Sequence, residues 1–344
     1  FFERLNTMTT TYRLIGGLGS PYTMKLRAIM RYRRLPHVFE MRNGKVADEV
    51  AHVRPQLIPM LQLPESKEWR VDSTPIAMEL EQRHPNERSI IPDDEATAFL
   101  SALIEDFGDE WLTKAMFHYR WYYAADRDYA MHWIAADQVR AADGGAQARQ
   151  QFAEQICARQ VSRMALVGCT DENRPAIERT YELVLDALSP YVAFGVFLFG
   201  SRPALADFGL FGQLKTLGDD PTGQQVMRQR AQPVSHWVRQ VDDLSGIEGE
   251  WRAQDEPLPP VVTQLLEICG QTYLPFLAAN AQAQMDGAEE VRLDILDYPF
   301  AQAPFAYQAK CYSKLRSKFE KLSPDARQRL EPVLEATGCL KWLA

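Results

Sequence analysis

Several features are missing from this 344-residue chain, and each absence excludes something. There is no CxxC pair and no cysteine–histidine spacing suited to a metal ion. The five cysteines, Cys157, Cys169, Cys269, Cys311 and Cys339, lie far apart, and an odd, scattered set fits a reducing compartment better than a disulfide framework. No stretch approaches the roughly 20 apolar residues that a membrane span needs. The most apolar short run, residues 191–199, reads as buried structure. A basic excess is also missing: the net charge of −8 argues against a non-specific nucleic-acid binder, which needs a positive surface to displace counterions. The first residues lack the apolar core of a signal peptide, so the cytoplasm is the expected compartment, with Met8 the expected natural start. What remains is an ordinary globular composition, 46% hydrophobic and 24% charged, long enough for two domains.

The order of patterns divides the chain. Residues 11–15 read as a strand, 22–34 as a helix with Leu26, Ile29 and Met30 on one face, and 37–40 as a short extended run. An undefined segment follows at 46–52. Residues 60–63 and 68–71, separated by "PESK", predict a hairpin, and 75–83 a helix closed by His84-Pro85. After "HPNERSIIPDD" almost every segment from about residue 95 onward is helical by pattern, with breaks at glycine and proline clusters. A small α/β domain followed by a large all-α domain is the expectation.

The corner "GGLGSPYTMK" sits between the first strand and the first helix and has two readings. Gly17-Leu18-Gly19 begins a dinucleotide fingerprint, but the third glycine position holds Tyr22, where close helix-to-strand packing wants no side chain. The downstream hairpin also replaces the βαβ crossover such a site requires. The second reading is a helix start, with Ser20 as N-cap and Pro21 as first helical residue. A hydroxyl there either only caps the helix or also donates to an anion, which the helix dipole favours. A thiolate is one such anion. A free thiol, with a pKa of about 8.5, is only a few per cent ionised at neutral pH, and lowering that by two units raises the nucleophile population more than tenfold.

Two further sites bear on the choice. "RPQLIPML" places Pro59 just before a strand-like run, and "EWRVDSTPIAMELEQRHP" places Asp72-Ser73 at a strand-to-helix junction, with Ser73 or Thr74 capping and Pro75 first in the helix. Together with the Ser-Pro-Tyr-Thr corner and the β-α-β-α-β-β-α order, they resemble the thioredoxin-like domain of the glutathione transferase family. "GSRPALADFGLFGQL" (200–214) resembles that family's C-terminal-domain signature, and "DDPTGQQVMRQRAQPVSHWVRQV" (219–241) the segment that follows it in bacterial members.

The resemblance implies a thioredoxin-like domain over residues 8–86, a linker at 87–95 and an all-helical domain at 96–344, extended beyond about residue 246. It implies a serine-type enzyme, in which Ser20 hydrogen-bonds the glutathione sulfur and stabilises its thiolate, with Tyr22 and Thr23 lining the same pocket. The Ile58-Pro59 bond would be cis, exposing the Ile58 backbone to pair with the cysteinyl unit like an added strand. Asp72 would attract the α-ammonium of the γ-glutamyl end, and Ser73 with the helix start its carboxylate. Asp207 would be structural, accepting backbone N–H bonds. Each motif has a plainer reading as well: Pro59 as a trans proline at a strand start, and Asp72-Ser73 as a helix cap alone.

Three departures from the family pattern stand out. Leu57 occupies a position that is often basic, so the glycine carboxylate of glutathione needs Arg54, Gln56 or Lys45 instead. Ala204 stands where a capping Ser or Thr is usual, a local cost of about 1 kcal/mol. Serine in place of cysteine at position 20 removes the sulfur needed for a mixed disulfide. For the second substrate, "WLTKAMFHYRWYYAADRDYAMHW" (111–133) is dense in aromatics, and Trp111, Tyr119 and Tyr122 either line an apolar electrophile pocket or belong to the core or a dimer contact. Asp126-Arg127-Asp128 reads as a solvated turn. The apolar stripes of "TYLPFLAANAQAQ" and "YQAKCYSKLRSKFEKLSPDARQRLEPVLEATG" predict core helices. The function expected is a cytosolic, homodimeric transferase of the detoxifying kind, using glutathione but no metal, nucleotide, nucleic acid or membrane. The alternative is a binding or scaffold protein of the same fold without turnover.

Overall fold

The computed structural model describes residues 11–85 and 88–344; Met8, the expected domain start and Glu87 of the expected linker lie outside them. Four strands, β1 (Tyr12–Gly16), β2 (His37–Met41), β3 (Met60–Gln62) and β4 (Trp69–Val71), form one sheet in the order β2-β1-β3-β4. β2 runs parallel to β1, while β3 is antiparallel to both its neighbours. Three helices accompany them: α1 (Pro21–Tyr32), α2 (Gly44–Glu49) and α3 (Ser73–Arg83). One sheet face buries Tyr12, Leu14 and Leu61 against Leu26 and Met30 of α1 and Ile76 and Leu80 of α3. The other buries Ile15 and Met60 against Val50 and Val53.

Local chemistry sets the ends of these helices. Ser20 caps α1 and Pro21 opens it, as the sequence predicts. The helix stops at Tyr32, two residues short of the expected end. There Arg34 turns to φ 53° and the Leu35 N–H reaches back to the Met30 carbonyl at 3.0 Å, a left-handed C-terminal cap. α3 begins at Ser73, so the capping position is Asp72, one residue before the expected caps, and Pro75 is the third helical residue.

The helical region continues with α4 (Glu95–Phe107), a π-helical turn (Gly108–Leu112), α5 (Thr113–Trp121), α6 (Ala124–Gln138), α7 (Gly145–Val161) and α8 (Arg174–Leu188). Then come α9 (Leu205–Leu217), α10 (Pro221–Arg230), α11 (Gln232–Val241), α12 (Pro260–Ile268) and α13 (Leu274–Asp286). It ends in α14 (Ala306–Glu320), α15 (Pro324–Ala336) and α16 (Leu340–Leu343). At the centre, α9 is buried on all sides except Lys215. Its glycines allow the close approaches: a Cβ on Gly209 would come within 3.1 Å of the Glu105 backbone, and one on Gly212 within 2.6 Å of the Pro21 carbonyl. The α9 start is held by Asp207, whose carboxylate accepts from the N–H groups of Ala204 (2.8 Å) and Leu198 (3.0 Å), while burial pushes its pKa up to about 7. This carboxylate supplies a capping bond although Ala204 has no hydroxyl.

Two expectations need correction. The C-terminal region is not purely helical: β5 (Val291–Ile295) and β6 (Tyr298–Gln302) pair as an antiparallel hairpin. Its turn is Leu296-Asp297, both at positive φ (52° and 64°), the two-residue geometry normally signalled by Asn-Gly, and that missing signal hid the hairpin. Asp126 is not in a solvated turn. It lies buried in α6, where its carboxylate accepts from the backbone N–H (2.8 Å) and hydroxyl of Thr222 at the start of α10. Among the described residues, no helix is long and apolar enough to cross a membrane.

Candidate functional site

Strand register brings the three N-terminal motifs together. Ile15 lies opposite Met60, and Met60 opposite Val71. Because β3 runs against its neighbours, one sheet edge collects the residues following β1, those preceding β3 and those following β4. These are the glycine corner with Ser20, the Ile58-Pro59 pair and Asp72-Ser73. With neighbouring strands about 4.8 Å apart, they span roughly 10 Å in one row.

Each member of the row carries chemistry. Ser20 is partly buried, and its Oγ accepts from the Thr23 N–H at 3.2 Å. The hydroxyl proton is thereby left for an outside acceptor at the positive end of a 12-residue helix. The Ile58–Pro59 peptide is cis, and so is Arg54–Pro55. Asp72 sits at φ 76°, a conformation costing a non-glycine residue about 1–3 kcal/mol, and its side chain makes no capping bond. Burial pushes the Asp72 carboxyl up. Ser73 is 1% exposed, and its Oγ has no hydrogen-bond partner among the described residues.

Tyr22 and Thr23 behave differently from the expectation that they line the pocket. Thr23 is fully buried and turned onto Gly16, where an added Cβ would stand 2.3 Å from its methyl carbon. It does not line an opening. Tyr22 reaches away to the helical region, donating to the Asp109 carbonyl at 2.9 Å and lying 3.2 Å from the Thr113 hydroxyl. Burial, helped by Glu110, pushes its phenol up.

Beneath the row lies an ionic cluster that sequence reasoning missed. Lys25 is fully buried on α1 and donates to the Asp109 carboxylate (2.6 Å), to the Glu105 carboxylate and to the Thr74 hydroxyl (2.9 Å). Thr74 in turn donates to Glu105. Despite burial, the two carboxylates hold the Lys25 ammonium above its ordinary value. Burial, with Glu105's charge, pushes the Asp109 carboxyl up against the pull of Lys25. The cluster ties α1 and the first turn of α3 to α4 and its π turn. A lysine inside an otherwise apolar helix face is the one sequence signal that could have revealed it.

The aromatic wall near Ser20 is also not the expected one. Trp111 is 2% exposed and packs on Phe276 and Phe300 at ring distances of 5.3 and 5.4 Å. Tyr119 is buried against Tyr181 at 5.3 Å. Tyr122 donates to Asp171 and stacks on His118 at 4.6 Å. All three find these partners within the helical region, so a pocket role for Trp111 and Tyr119 is replaced by a core role, and Tyr122 ties the end of α5 to the segment before α8. Trp133 of α6 faces the corner instead: a Cβ on Gly19 would meet its ring at 2.7 Å and Ile134 at 3.6 Å. Arg120 fixes this arrangement, donating to the Gly19 carbonyl (2.7 Å) and to Asp220 (2.6 Å), with its guanidinium 5.2 Å from the Trp133 ring centre. Trp133 ends the aromatic-rich stretch, but nothing in that stretch says which ring turns to the sheet.

The candidates for a second ligand carboxylate separate as well. Gln56 is occupied, donating to the Val50 and Val53 carbonyls at 2.9 and 2.6 Å and accepting from Arg42. Arg54 donates to the carbonyls of Ala51 and Val53, and Lys45 is exposed. Arg42, which the sequence did not single out, has a buried Nε without a partner among the described residues. Leu57 is 50% exposed. A cleft of about 400 Å³ opens between α2 and α7, bordered by Gly44, Gln138 and Phe152, but Ser20, Pro59 and Asp72 do not line it. Among the described residues, no three His, Cys, Asp or Glu side chains are placed to hold a metal ion.

Residues 14–88 match the family model described as glutathione S-transferase, N-terminal domain. No curated protein matches the chain. Among solved structures, it is similar to a glutathione S-transferase from Methylobacterium radiotolerans in complex with glutathione sulfonate, at 18% identity over 73% of this chain and 100% of that one, TM-score 0.41. A glutathione S-transferase from Ceriporiopsis subvermispora in complex with glutathione shows 16% identity over 68% and 99%, TM-score 0.44. One from Rhodospirillum rubrum shows 13% identity over 74% and 99%, TM-score 0.43. The family likeness is carried by residues 14–88, which are similar to the N-terminal domain of glutathione S-transferases.

Proposed function

We propose that this chain is a glutathione transferase that binds glutathione along the sheet-edge row and attacks a small apolar electrophile with its thiolate. The observation that carries the reading is the alignment, on one edge of the sheet, of a helix-capping hydroxyl, a cis-proline and a buried serine without a partner among the described residues. The thiol proton leaves to solvent, and Ser20, already an acceptor from Thr23, donates a hydrogen bond from its hydroxyl to the resulting thiolate. The Ile58 backbone pairs with the cysteinyl unit. Ser73 and the start of α3 receive the γ-glutamyl carboxylate, Asp72 its ammonium, and Arg42 the glycine carboxylate in place of a basic residue at 57. The sulfur then forms the new bond to the electrophile, whose leaving group departs with the electron pair. Trp133 and Ile134 form the apolar side of the electrophile's approach. The reading includes a homodimer and a detoxifying role.

One observation favours a second reading, a binding or scaffold protein without turnover. Trp133 and Arg120 are packed onto the Gly19 side of the corner, where an electrophile would stand. Calorimetry with glutathione, followed by thiolate absorbance and a conjugation assay on Ser20→Ala, separates the two. The transferase reading expects micromolar-to-millimolar binding and at least a tenfold loss of conjugation rate in Ser20→Ala. Binding without any conjugation by the unmodified protein would support the scaffold, and unchanged thiolate formation in Ser20→Ala would overturn the role of that residue.

A further inference from the structure

The C-terminal extension reaches the row at its γ-glutamyl end. The Tyr307 hydroxyl, in the first turn of α14, lies 3.4 Å from the Asp72 carboxylate. The next residue, Gln308, donates its amide N–H to the Glu110 carbonyl at 3.3 Å. Gln308 is 5% exposed, and its amide oxygen has no partner among the described residues, like the Ser73 hydroxyl beside Asp72. Tyr307 is held in position by the chain that leads into it. The chain just before it is clamped by the fully buried Asn280, whose side chain donates to the Phe305 carbonyl (3.0 Å) and accepts from the Phe305 N–H (2.7 Å).

The electrostatics of this end are unbalanced. Gln308, bonded to the Glu110 backbone, and Tyr307, bonded to Asp72, are adjacent in α14, so Glu110 and Asp72 flank the same turn; burial and the neighbouring carboxylates push the Glu110 carboxyl well up. Among the described residues, neither Asp72 nor Glu110 has a lysine, arginine or histidine within 4.0 Å. Lys25 is occupied by Glu105 and Asp109. Among the described residues, two partly buried carboxylates without a cation in contact, and two buried polar atoms without partners, describe a place for a ligand that brings a positive charge and hydrogen-bond donors.

We infer that Tyr307 and Gln308 of the C-terminal extension complete, with Asp72, Ser73 and Glu110, a subsite for a primary ammonium group. The inference rests on the glutathione reading and deepens it. The amino-acid end of the ligand is held from the sheet side by Asp72 and Ser73 and from the helical side by Glu110 and α14. The extension is therefore part of the binding site, and a ligand without an ammonium gains nothing from these residues.

Calorimetry on the full chain tests this with two probes: glutathione, and glutaryl-cysteinyl-glycine, which is glutathione with the α-amino group replaced by hydrogen. Tyr307→Phe is expected to weaken glutathione binding about threefold and Glu110→Gln about tenfold, the scale of one hydrogen bond and one charged contact. Both variants are expected to leave the deaminated probe within twofold, and thermal unfolding checks that they remain folded. Equal losses for the two probes, or no loss for either, would overturn the ammonium subsite while leaving glutathione binding in place. No glutathione binding by the unmodified chain would overturn this inference and the glutathione reading together.

Discussion

The two halves of the candidate site are built on different scales. On the sheet side, Ser20 is bonded by Thr23, three residues away, and Asp72 and Ser73 are neighbours at one helix start. On the helical side, Lys25 meets Glu105 across 80 residues, Arg120 meets Gly19 across 101, and Tyr307 meets Asp72 across 235. The first half is a set of local solutions to capping and turning that the strand register aligns. The second half exists only once helices from distant parts of the chain close over that edge. Hydroxyls without partners gather in the first half, whereas the second is dense in buried ion pairs. A ligand is therefore expected to bind chiefly along the sheet half, with α14 closing its γ-glutamyl end, and stability to reside mainly in the helical half.

The sharpest way to break this contrast is at Lys25, which joins the two. Lys25→Ala leaves the Glu105 and Asp109 carboxylates facing each other in a buried setting, and a loss of about 3–5 kcal/mol is expected in denaturant unfolding. Lys25→Met is expected to cost no less at neutral pH and to recover partly at low pH, as protonation neutralises the two acids. A loss below about 1 kcal/mol would show that the cluster does not hold the halves together.

A second test lies wholly within the helical half. Lys114 is 2% exposed, donates to the Gln302 side chain (2.6 Å) and the Val167 carbonyl (2.9 Å), and lies among the rings of Phe276, Trp111 and Phe300. Burial pushes its pKa down from 10.5 to about 8. The folded state therefore binds fewer protons than the unfolded state between these values. This contribution is fully present above about pH 10.5 and is lost as pH falls to about 8. Relative to Lys114→Met, the unmodified protein is expected to gain up to roughly 3 kcal/mol across that window. A pH-independent difference between the two would show that the ammonium is fully compensated by its oxygen and ring partners.

The smallest stability effect is expected on the sheet side. Ser73→Ala removes a buried hydroxyl that has no partner, so folding stability is expected to change by less than about 0.5 kcal/mol or to rise. Glutathione affinity, measured by calorimetry, is expected to fall about tenfold. A stability loss above 1 kcal/mol with unchanged affinity would place Ser73 in the structural half and remove the contrast.

Much of the sheet half was legible before folding. Short strand-like runs mark β1, β3 and β4; Ser20-Pro21 marks the start of α1; and the Ile-Pro and Asp-Ser pairs mark the row. The misses there are small shifts, such as the cap at Asp72 and the end of α1 at Tyr32. The helical half was legible only as helices. Trp111, Tyr119 and Trp133 share one aromatic stretch, yet the first two turn into the core and the third onto Gly19. The turn between α5 and α6, and the contact of α6 with α10 through Asp126, decide that outcome. The β5–β6 hairpin escaped because Leu296-Asp297 adopts a turn that its side chains do not announce.

The sequence by itself therefore determined which segments before about residue 86 are strands and helices, where α1 starts, and which short motifs carry polar chemistry, while the structural role of Asp207 came with the family resemblance. Those properties depend on contacts within a few residues, where side-chain type limits backbone geometry. Tertiary structure alone decided that Lys25 pairs with Glu105 and Asp109, that Trp133 covers the glycine corner and that Tyr307 meets Asp72. Those pairings arise from burying apolar surface between distant helices. Such burial is non-directional, and many side chains can satisfy it until the whole core is assembled.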